Sequence, residues 1–296
     1  MPERDGYIPG VPCWVDTSQA DPEAAVDFYR GLFGWEFADV MPPGSEGKYF
    51  IARIRGGDVA AVGSLPADAP PRAMWNSYIW VESADAAAAK VLAAGGSALM
   101  EPFDVMDAGR MGVFADPEGA AFRVWQAKQH KGARVVNEAG SVGFNGLNTR
   151  DAAGAKAFYG SVFGWRTIAL GGGAEMWTLP GYGEYLERDR PGLREEMAAA
   201  GAPPGFEDVV ASLDPIGDDQ PDVAPHWSVT FTVDDADATA RKATELGGKV
   251  LAGPFDAPWV RTAVIADPQG ASFIASKFVP ENKDLAAPVR ASVAAA

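Results

Sequence analysis

The chain has 296 residues, of which 47% are hydrophobic and 22% charged, and its formal net charge is −15. This composition is typical of an ordered protein with enough apolar mass for two cores. The negative field repels nucleic-acid phosphates and anionic lipids, and no apolar run approaches the roughly 18 residues that a membrane span needs. We therefore expect neither nucleic acid nor a membrane to be a partner of this protein.

Cysteine and histidine are scarce. The polar start of the chain and the single cysteine, Cys13, lead us to expect a cytoplasmic protein without an intrachain disulfide. Only His130 and His226 are present, so a His-rich metal site cannot form within one subunit.

The predicted elements of the first half follow a strand, helix, strands order that occurs twice. A strand at 12–17 is followed by a helix that begins at the N-cap Asp21 and runs to about Phe33. Strands are then predicted at 48–54, 59–62 and 75–81. A helix at 84–94 ends at a Gly-Gly pair, and two further strands flank an Asp-Pro-Glu-Gly turn at 116–119.

The second half repeats these landmarks in the same order. Phe-Tyr-x4-Gly-Trp at 28–35 recurs at 158–165, Gly-Gly at 95–96 recurs at 247–248, and Ala-Asp-Pro-x-Gly at 115–119 recurs at 266–270. The sequence distance between matching motifs is larger for the later motifs than for the first one. This difference indicates an insertion in the second copy, at about 180–219. We predict a first domain at 1–130, a linker at 131–140, a second domain at 141–279 and a mobile tail at 280–296.

These repeated motifs resemble the vicinal oxygen chelate superfamily, the group of glyoxalases, bleomycin-resistance proteins and extradiol dioxygenases. The resemblance covers about residues 9–277. It implies an α+β fold of two tandem glyoxalase-like domains, each built from two βαβββ modules that form a curved mixed sheet around a cavity. The runs at 179–183 and 225–231 are similar to a tandem-domain actinobacterial subgroup that includes a mycobacterial antigen and "hydroxylase" proteins of polyketide clusters.

Metal-using members of the superfamily hold one ion with His and Glu side chains on facing strands. The matching positions are Trp14, Asn76 and Arg123 in the first copy and Phe144, Ser228 and Ile274 in the second. None of these is a usual metal ligand, and the permanent charge of a guanidinium repels a cation. We therefore expect no metal and no cofactor.

Two polar groups are candidates for catalysis or recognition. Asp16 and Arg123 should share a sheet face, either as a partly buried ion pair or as ligand-recognition groups. His226 and Ser228 also share a strand face, and His226 either takes part in chemistry or simply begins a half-exposed strand. Asp16 and His226 are thus the two candidate catalytic residues.

Aromatic side chains dominate the predicted cavities, where indoles would bind planar or cationic ligands, although any one of them could equally be core. We expect Trp75 and Trp227 to belong to this aromatic lining as well. The predicted ligand-binding residues are Trp14, Asp16, Asn76, Tyr78, Trp80, Arg123 and Trp125 in the first copy and Phe144, Asn145, Trp177, His226, Ser228 and Trp259 in the second.

The leading hypothesis is a small-molecule-binding protein without catalytic metal, whose ligand is an aromatic or hydrophobic metabolite, antibiotic or xenobiotic. The alternative is an enzyme, either a glyoxalase-like lyase or isomerase or a polyketide-tailoring hydroxylase or oxygenase. A surface antigen whose role is interaction is a third possibility. Two tandem copies supply four modules, so we expect a monomer or a homodimer.

Overall fold

The computed structural model describes residues 4–66, 72–171 and 174–285. Each repeat forms its own eight-stranded mixed sheet, which confirms the predicted α+β fold of two tandem domains. The two sheets have the same strand order, β2-β3-β4-β1-β5-β8-β7-β6 in domain one and β10-β11-β12-β9-β13-β16-β15-β14 in domain two.

The strands of domain one are β1 (Pro12–Gln19), β2 (Glu36–Asp39), β3 (Tyr49–Ile54), β4 (Gly57–Ser64), β5 (Met74–Trp80), β6 (Ser97–Val105), β7 (Gly109–Ala115) and β8 (Ala121–Ala127). Its helices are α1 (Pro22–Phe33) and α2 (Ala84–Ala93).

The strands of domain two are β9 (Val142–Thr149), β10 (Arg166–Gly171), β11 (Ala174–Thr178), β12 (Val209–Pro215), β13 (His226–Thr232), β14 (Lys249–Ala257), β15 (Val260–Ala266) and β16 (Ser272–Phe278). Its helices are α3 (Ala152–Phe163), α4 (Tyr182–Asp189), α5 (Leu193–Ala199) and α6 (Ala236–Glu245), with 3-10 turns η1 (Phe206–Asp208) and η2 (Pro280–Asn282). No helix within the described ranges is both long and apolar enough to cross a bilayer.

The repeated motif produces the same helix twice. Asp21 caps α1 by accepting a hydrogen bond from the backbone N–H of Ala24, and Asp151 caps α3 in the same way. Each helix ends at a glycine in the left-handed conformation, Gly34 with φ 72° and Gly164 with φ 74°. Glycine is favoured there because a Cβ atom would be strained.

The long helices pack between the two sheets, and they do so across the repeats. Phe28 and Tyr29 of α1 belong to one buried cluster with Phe231 and Phe273 of domain two. In the other half, Phe158 of α3 packs on the first domain's β8. The first module of each domain is therefore buried against the second module of the other domain.

Two buried hydrogen-bond networks join the domains, and we call them the interdomain networks. The Tyr29 hydroxyl donates to Asp267 at 2.9 Å and accepts from the Trp75 indole at 3.0 Å. In the symmetry-related network the Tyr159 hydroxyl donates to Asp116 at 3.1 Å, and the Trp227 indole donates to it at 2.9 Å. The Phe-Tyr motif of each repeat is thus bonded to the Asp-Pro-x-Gly turn of the other.

Several segments differ from the predicted boundaries. Strand β12 falls within the range 180–219 assigned to an insertion, but it pairs with β9 and β11 as a regular strand of the sheet. The extra elements are α4, α5 and η1 only. Linker residue Ala133 is buried and donates a backbone hydrogen bond to Cys13. In the predicted tail, the Asn282 side chain bonds to Asp256 and Val260, while residues 286–296 lie outside the described residues.

Removing either tyrosine hydroxyl should weaken the domain junction. We expect Tyr29→Phe and Tyr159→Phe each to lower the free energy of unfolding by about 1–3 kcal/mol, because a buried indole N–H loses its acceptor and a buried aspartate loses a donor. Urea denaturation monitored by tryptophan fluorescence measures the change. The control is Tyr185→Phe, whose partly exposed hydroxyl makes only a 3.4 Å contact with Gly6 and should change stability by less than about 0.5 kcal/mol. Equal effects of all three variants would contradict the assignment.

Candidate functional site

The face of each sheet that points away from the helices is called its outer face. In domain one, strand alternation brings the seven predicted residues of the first copy onto this face. Register pairs Trp14 with Tyr78, Asp16 with Asn76, Tyr78 with Arg123, and Trp80 with Trp125. Trp80 lies at the end of its strand and contacts Tyr7, with the ring centroids 6.0 Å apart.

Asp16 is the centre of a buried hydrogen-bond network. One carboxylate oxygen accepts from the Asn76 amide at 2.8 Å, and the other accepts from the hydroxyls of Tyr78 at 2.5 Å and Tyr49 at 3.0 Å. The Trp14 indole in turn donates to the Tyr49 hydroxyl at 3.1 Å. Asp16 is 6% exposed, so a carboxylate that is almost cut off from water is stabilised by three neutral donors.

The two phenols of this network stay protonated. Burial raises the pKa of Tyr78 well above its ordinary value, and the negative charge of Asp16 raises it further. The same two causes raise the pKa of Tyr49. Both hydroxyls therefore remain donors to Asp16 at neutral pH, and both oxygens of the Asp16 carboxylate are engaged. A carboxylate held this way orients the side chains that donate to it.

The predicted ion pair between Asp16 and Arg123 is wrong. Their strands are not neighbours, because β5 lies between β1 and β8 and places Tyr78 between the two charges. The Arg123 guanidinium lies over the Tyr78 ring, 5.4 Å from its centroid, and its Nε is buried without a hydrogen-bond partner. Arg123 forms no ion pair with any residue in the described part of the chain. It is therefore a partly buried cation without a protein counter-charge.

An apolar wall continues from this cation toward the edge of the sheet. On β7, Val113 pairs with Arg123 and Met111 pairs with Trp125. On β6, Met100 pairs with Val113 and Phe103 pairs with Met111. Met100 is 47% exposed and Phe103 is 38% exposed. We call this surface the Arg123 face and define it as Arg123, Trp125, Met100, Phe103, Met111 and Val113.

His130 also borders this site, although the sequence predicted only that it lies at the end of the first domain. Its ring contacts the edges of Trp14 and Trp125, with centroids 4.4 and 5.8 Å away, and its Nε2 is buried without a partner. Burial lowers the pKa of His130, and Asp58, 3.9 Å away, opposes the shift only in part. Tyr49 was also missed, although its alternation with Ile51 in a predicted strand could have placed it on the outer face.

Domain two carries smaller and more polar side chains on its outer face. Gly146 occupies the register position of Asp16, and Ser228 pairs with it across β13. A Cβ atom at Gly146 would lie 2.4 Å from the Ser212 hydroxyl and 2.7 Å from an Asp214 carboxylate oxygen. Asp214 accepts from Ser212 at 2.7 Å. The missing side chain therefore makes room for a carboxylate that comes from the neighbouring strand.

His226 lies at the start of β13, half-buried on this outer face and paired with Asn148. Its Nδ1 is 2.8 Å from the Ala224 carbonyl oxygen, which can only accept, so Nδ1 carries the proton. Its Nε2 is buried without a hydrogen-bond partner. Burial lowers the pKa of His226, the hydrogen bond to Ala224 opposes this shift, and the charge of Arg72 lowers the pKa further. The neutral form of the imidazole is thus favoured, and the lone pair of its Nε2 has no partner among the described residues.

The structure places the other predicted residues of the second copy apart from His226. Phe144 pairs with Thr230 on the outer face, but Asn145 lies one position on and accepts a hydrogen bond from Ser77 of domain one. Trp177 is fully buried beside Tyr159 on the helix side, and Trp259 stacks on Phe278 at a turn. Trp75 and Trp227 belong to the interdomain networks rather than to an outer face. Alternation fixes which residues share a face but not which face points outward.

The donor set is unsuited to a catalytic metal at the family's positions. Trp14 and Asn76 use their N–H groups as donors within the Asp16 network. Phe144 and Ile274 carry no ligand atom at all. Within the described ranges, no three His, Cys, Asp or Glu side chains are grouped as a metal site. Cys13 is buried, and burial raises the pKa of its thiol, which disfavours the thiolate that a metal requires.

The fold and these motifs define a class of protein. The chain matches the Glyoxalase/Bleomycin resistance protein/Dioxygenase superfamily over residues 15–124 and 138–274, so it belongs to that family. It is 40% identical over 284 residues to CFP32 of Mycobacterium tuberculosis (strain CDC 1551 / Oshkosh), a candidate glyoxylase by its name, with 95% of this chain and 100% of the relative covered. It is 37% identical over 285 residues to the anthracycline biosynthesis protein DauV of Streptomyces sp. (strain C5), with 90% and 93% covered.

Solved structures share the fold at low sequence identity. The Mn(II)-bound glyoxalase from Novosphingobium aromaticivorans superposes with a TM-score of 0.57 at 16% identity, covering 91% of this chain and 83% of that one. The 2,2',3-trihydroxybiphenyl 1,2-dioxygenase from Sphingomonas wittichii strain RW1 superposes with a TM-score of 0.54 at 15% identity, covering 94% and 93%. At these identities the likeness concerns the fold alone.

Near pH 6.5 about half of an ordinary histidine population is protonated, and His130 and His226 should both be protonated to a smaller extent. Their pKa values are lowered in the folded chain, so the unfolded chain binds the protons more readily. The free energy of unfolding therefore falls as the pH decreases through about 6.5, and the fall from this source ends below the folded-state pKa values. An NMR titration of the ¹⁵N-labelled imidazoles measures both values, and protonated Nδ1 is expected for His226. A histidine that titrates at or above about 6.5 would contradict this result.

Proposed function

We propose that the chain is a small-molecule-binding protein that holds a planar aromatic ligand bearing an acidic oxygen on the Arg123 face, without a catalytic metal. The observation that carries the proposal is the uncompensated Arg123 guanidinium, whose Nε has no partner. A partly buried charge of this kind costs free energy unless it is paired. A ligand carboxylate or phenolate would supply the missing acceptor.

The surroundings of Arg123 favour an aromatic body for that ligand. A guanidinium binds an oxyanion through parallel N–H bonds, each hydrogen bond to a charged group contributing about 1.5–3 kcal/mol. Met100 and Met111 offer polarisable sulfur atoms that contact ring edges. Trp125 and Phe103 add flat apolar surface. The ring system would therefore lie along the wall while its acidic oxygen meets Arg123.

Asp16 acts in this proposal as a positioning residue. Its carboxylate holds the Tyr78 hydroxyl at 2.5 Å, which fixes the ring that lies under the guanidinium. Asp16 is accordingly assigned no proton-transfer step.

A relative supports the aromatic ligand class. DauV is named for anthracycline biosynthesis, and anthracyclines contain planar hydroxyquinone rings whose phenolic oxygens are acidic. We extend that ligand class to this chain. A cytoplasmic location and a monomeric or homodimeric state stay predictions from the sequence.

Anthraquinone-2-carboxylate is the probe that tests this function, with quenching of tryptophan fluorescence as the measurement. We expect saturable quenching that EDTA leaves unchanged, and Arg123→Met should weaken binding at least about tenfold because the oxyanion loses its charged partner. The neutral anthraquinone-2-carboxamide should bind the wild type more weakly than the carboxylate does.

Arg110→Met is the matched control. Arg110 lies on β7 next to Met111 but is paired with Asp85 at 2.8 Å and Asp104 at 3.7 Å. This variant should bind the probe as the wild type does. Binding that depends on added metal, or that survives in Arg123→Met, would refute the proposal.

His226 supports a second candidate function, a proton-transfer enzyme of the glyoxalase-like lyase or isomerase class. Its neutral imidazole with a buried, unpartnered Nε2 suits a general base that removes a proton next to a carbonyl group. Ser228 lies two positions along the same face and is bonded to Asn148 at 3.1 Å. The name of CFP32 agrees with this class.

Deuterium exchange into hydroxyacetone, followed by NMR in D₂O, tests the second candidate. We expect His226→Gln to lower the exchange rate by about 10²–10⁴-fold, and the wild-type rate to fall as the pH decreases through the lowered pKa of His226. Met74→Gln is the matched control, because Met74 is the exposed residue at the corresponding position of domain one. Absence of exchange in the wild type, or equal rates in His226→Gln, rejects this candidate.

A further inference from the structure

A separate cleft lies where the start of the chain meets the extra helices of domain two. Its volume is about 130 Å³. Most of its wall is apolar and comes from both domains and from α4, α5 and η1. The principal apolar residues are Tyr7, Phe144, Leu186, Met197, Phe206 and Val210.

Arg4 supplies a cation to this cleft. Its guanidinium carbon lies 5.0 Å from the centroid of the Tyr7 ring and 5.9 Å from that of Tyr182, and Nη1 donates to the Tyr182 hydroxyl at 2.7 Å. No other side-chain hydrogen bond or ion pair of Arg4 occurs within the described part of the chain. Two aromatic rings therefore hold the guanidinium in place while most of its N–H donors are left without a protein acceptor.

Asn145 and Glu207 are further polar residues of the lining. The Asn145 side-chain carbonyl accepts from the Ser77 hydroxyl of domain one at 2.6 Å, so this side chain is directed to the domain junction. Glu207 has Arg194 3.9 Å away. Arg4 is thus the cation of this lining, and it forms no ion pair with any residue that the structure describes.

We infer that this cleft binds a small aromatic carboxylate, with the carboxylate on Arg4 and the ring between the apolar walls. Drug-sized ligands occupy about 300–1,000 Å³, so the smaller volume limits the occupant to about one ring. The site is independent of the proposed function, because its lining includes no residue of the Arg123 face.

Isothermal titration calorimetry with benzoate and benzamide tests this site on the full chain. We expect benzoate to bind the wild type and the neutral benzamide to bind at least about tenfold more weakly, because only benzoate pairs with the guanidinium. Arg4→Gln should reduce benzoate binding by a similar factor. Arg30→Gln is the control, since Arg30 is exposed and paired with Asp27, and it should leave benzoate binding unchanged.

A second variant separates loss of the site from loss of the fold. Met197→Trp places a larger side chain on the exposed helix α5 and should fill the cleft, which abolishes benzoate binding while Tm stays close to that of the wild type. Arg123→Met should bind benzoate normally, so failure here and failure of the proposed function are distinguishable. Equal binding of benzoate and benzamide, unchanged binding in Arg4→Gln, or no binding to the wild type would overturn the inference.

Discussion

Two buried tyrosine hydroxyls set the geometry of the whole molecule. Tyr29 and Asp267 come from different repeats, as do Tyr159 and Asp116, so neither network can form within a single repeat. An isolated repeat would expose the apolar side of α1 or α3 and leave a buried aspartate without its donor. Because the helices pack at the junction, both outer faces are turned away from it.

The two repeats have kept this junction and have diverged on their outer faces. Each outer face holds a carboxylate near the same place, but Asp16 lies on β1 in domain one, while Asp214 lies on β12 in domain two. Glycine occupies the complementary positions: Gly146 pairs with Ser212, next to the Asp214 carboxylate, and Gly63 pairs with Tyr49. A Cβ atom at Gly63 would lie 3.0 Å from the Tyr49 ring. The glycine therefore lets Tyr49 reach Asp16, and the two domains present different chemistry from one fold.

Structural features that depend on neighbouring residues could be predicted from the sequence better than features that depend on contacts between distant segments. The cap at Asp21 and the stop at Gly34 define α1, because both depend on neighbouring residues. Asp16, Asn76 and Tyr78 share one face of the sheet, as the period-two alternation of each strand requires. Alternation does not give the order of the strands, and that order places Tyr78 between Asp16 and Arg123. Alternation also does not show which face of a strand points to the junction, where Trp177 and Asn145 lie. Alternation with Ile51 indicates the face of Tyr49 but not that its hydroxyl reaches Asp16, which depends on strand pairing. His130 reaches the site from the segment after β8, and no local pattern indicates this.

The net charge of −15 and the guanidinium groups of Arg123 and Arg4 act on different length scales. Long-range charge attracts cations and repels anions, but at physiological salt this field is screened beyond about 8 Å. Arg123 and Arg4 act within hydrogen-bond distance, in surroundings where water competes poorly, so they determine which ligand is bound once it arrives. The acidic surface slows the approach of an anion without changing the preference of either site. A cationic ligand expected from net charge alone would meet a guanidinium at both places, and this local repulsion favours acidic aromatic ligands.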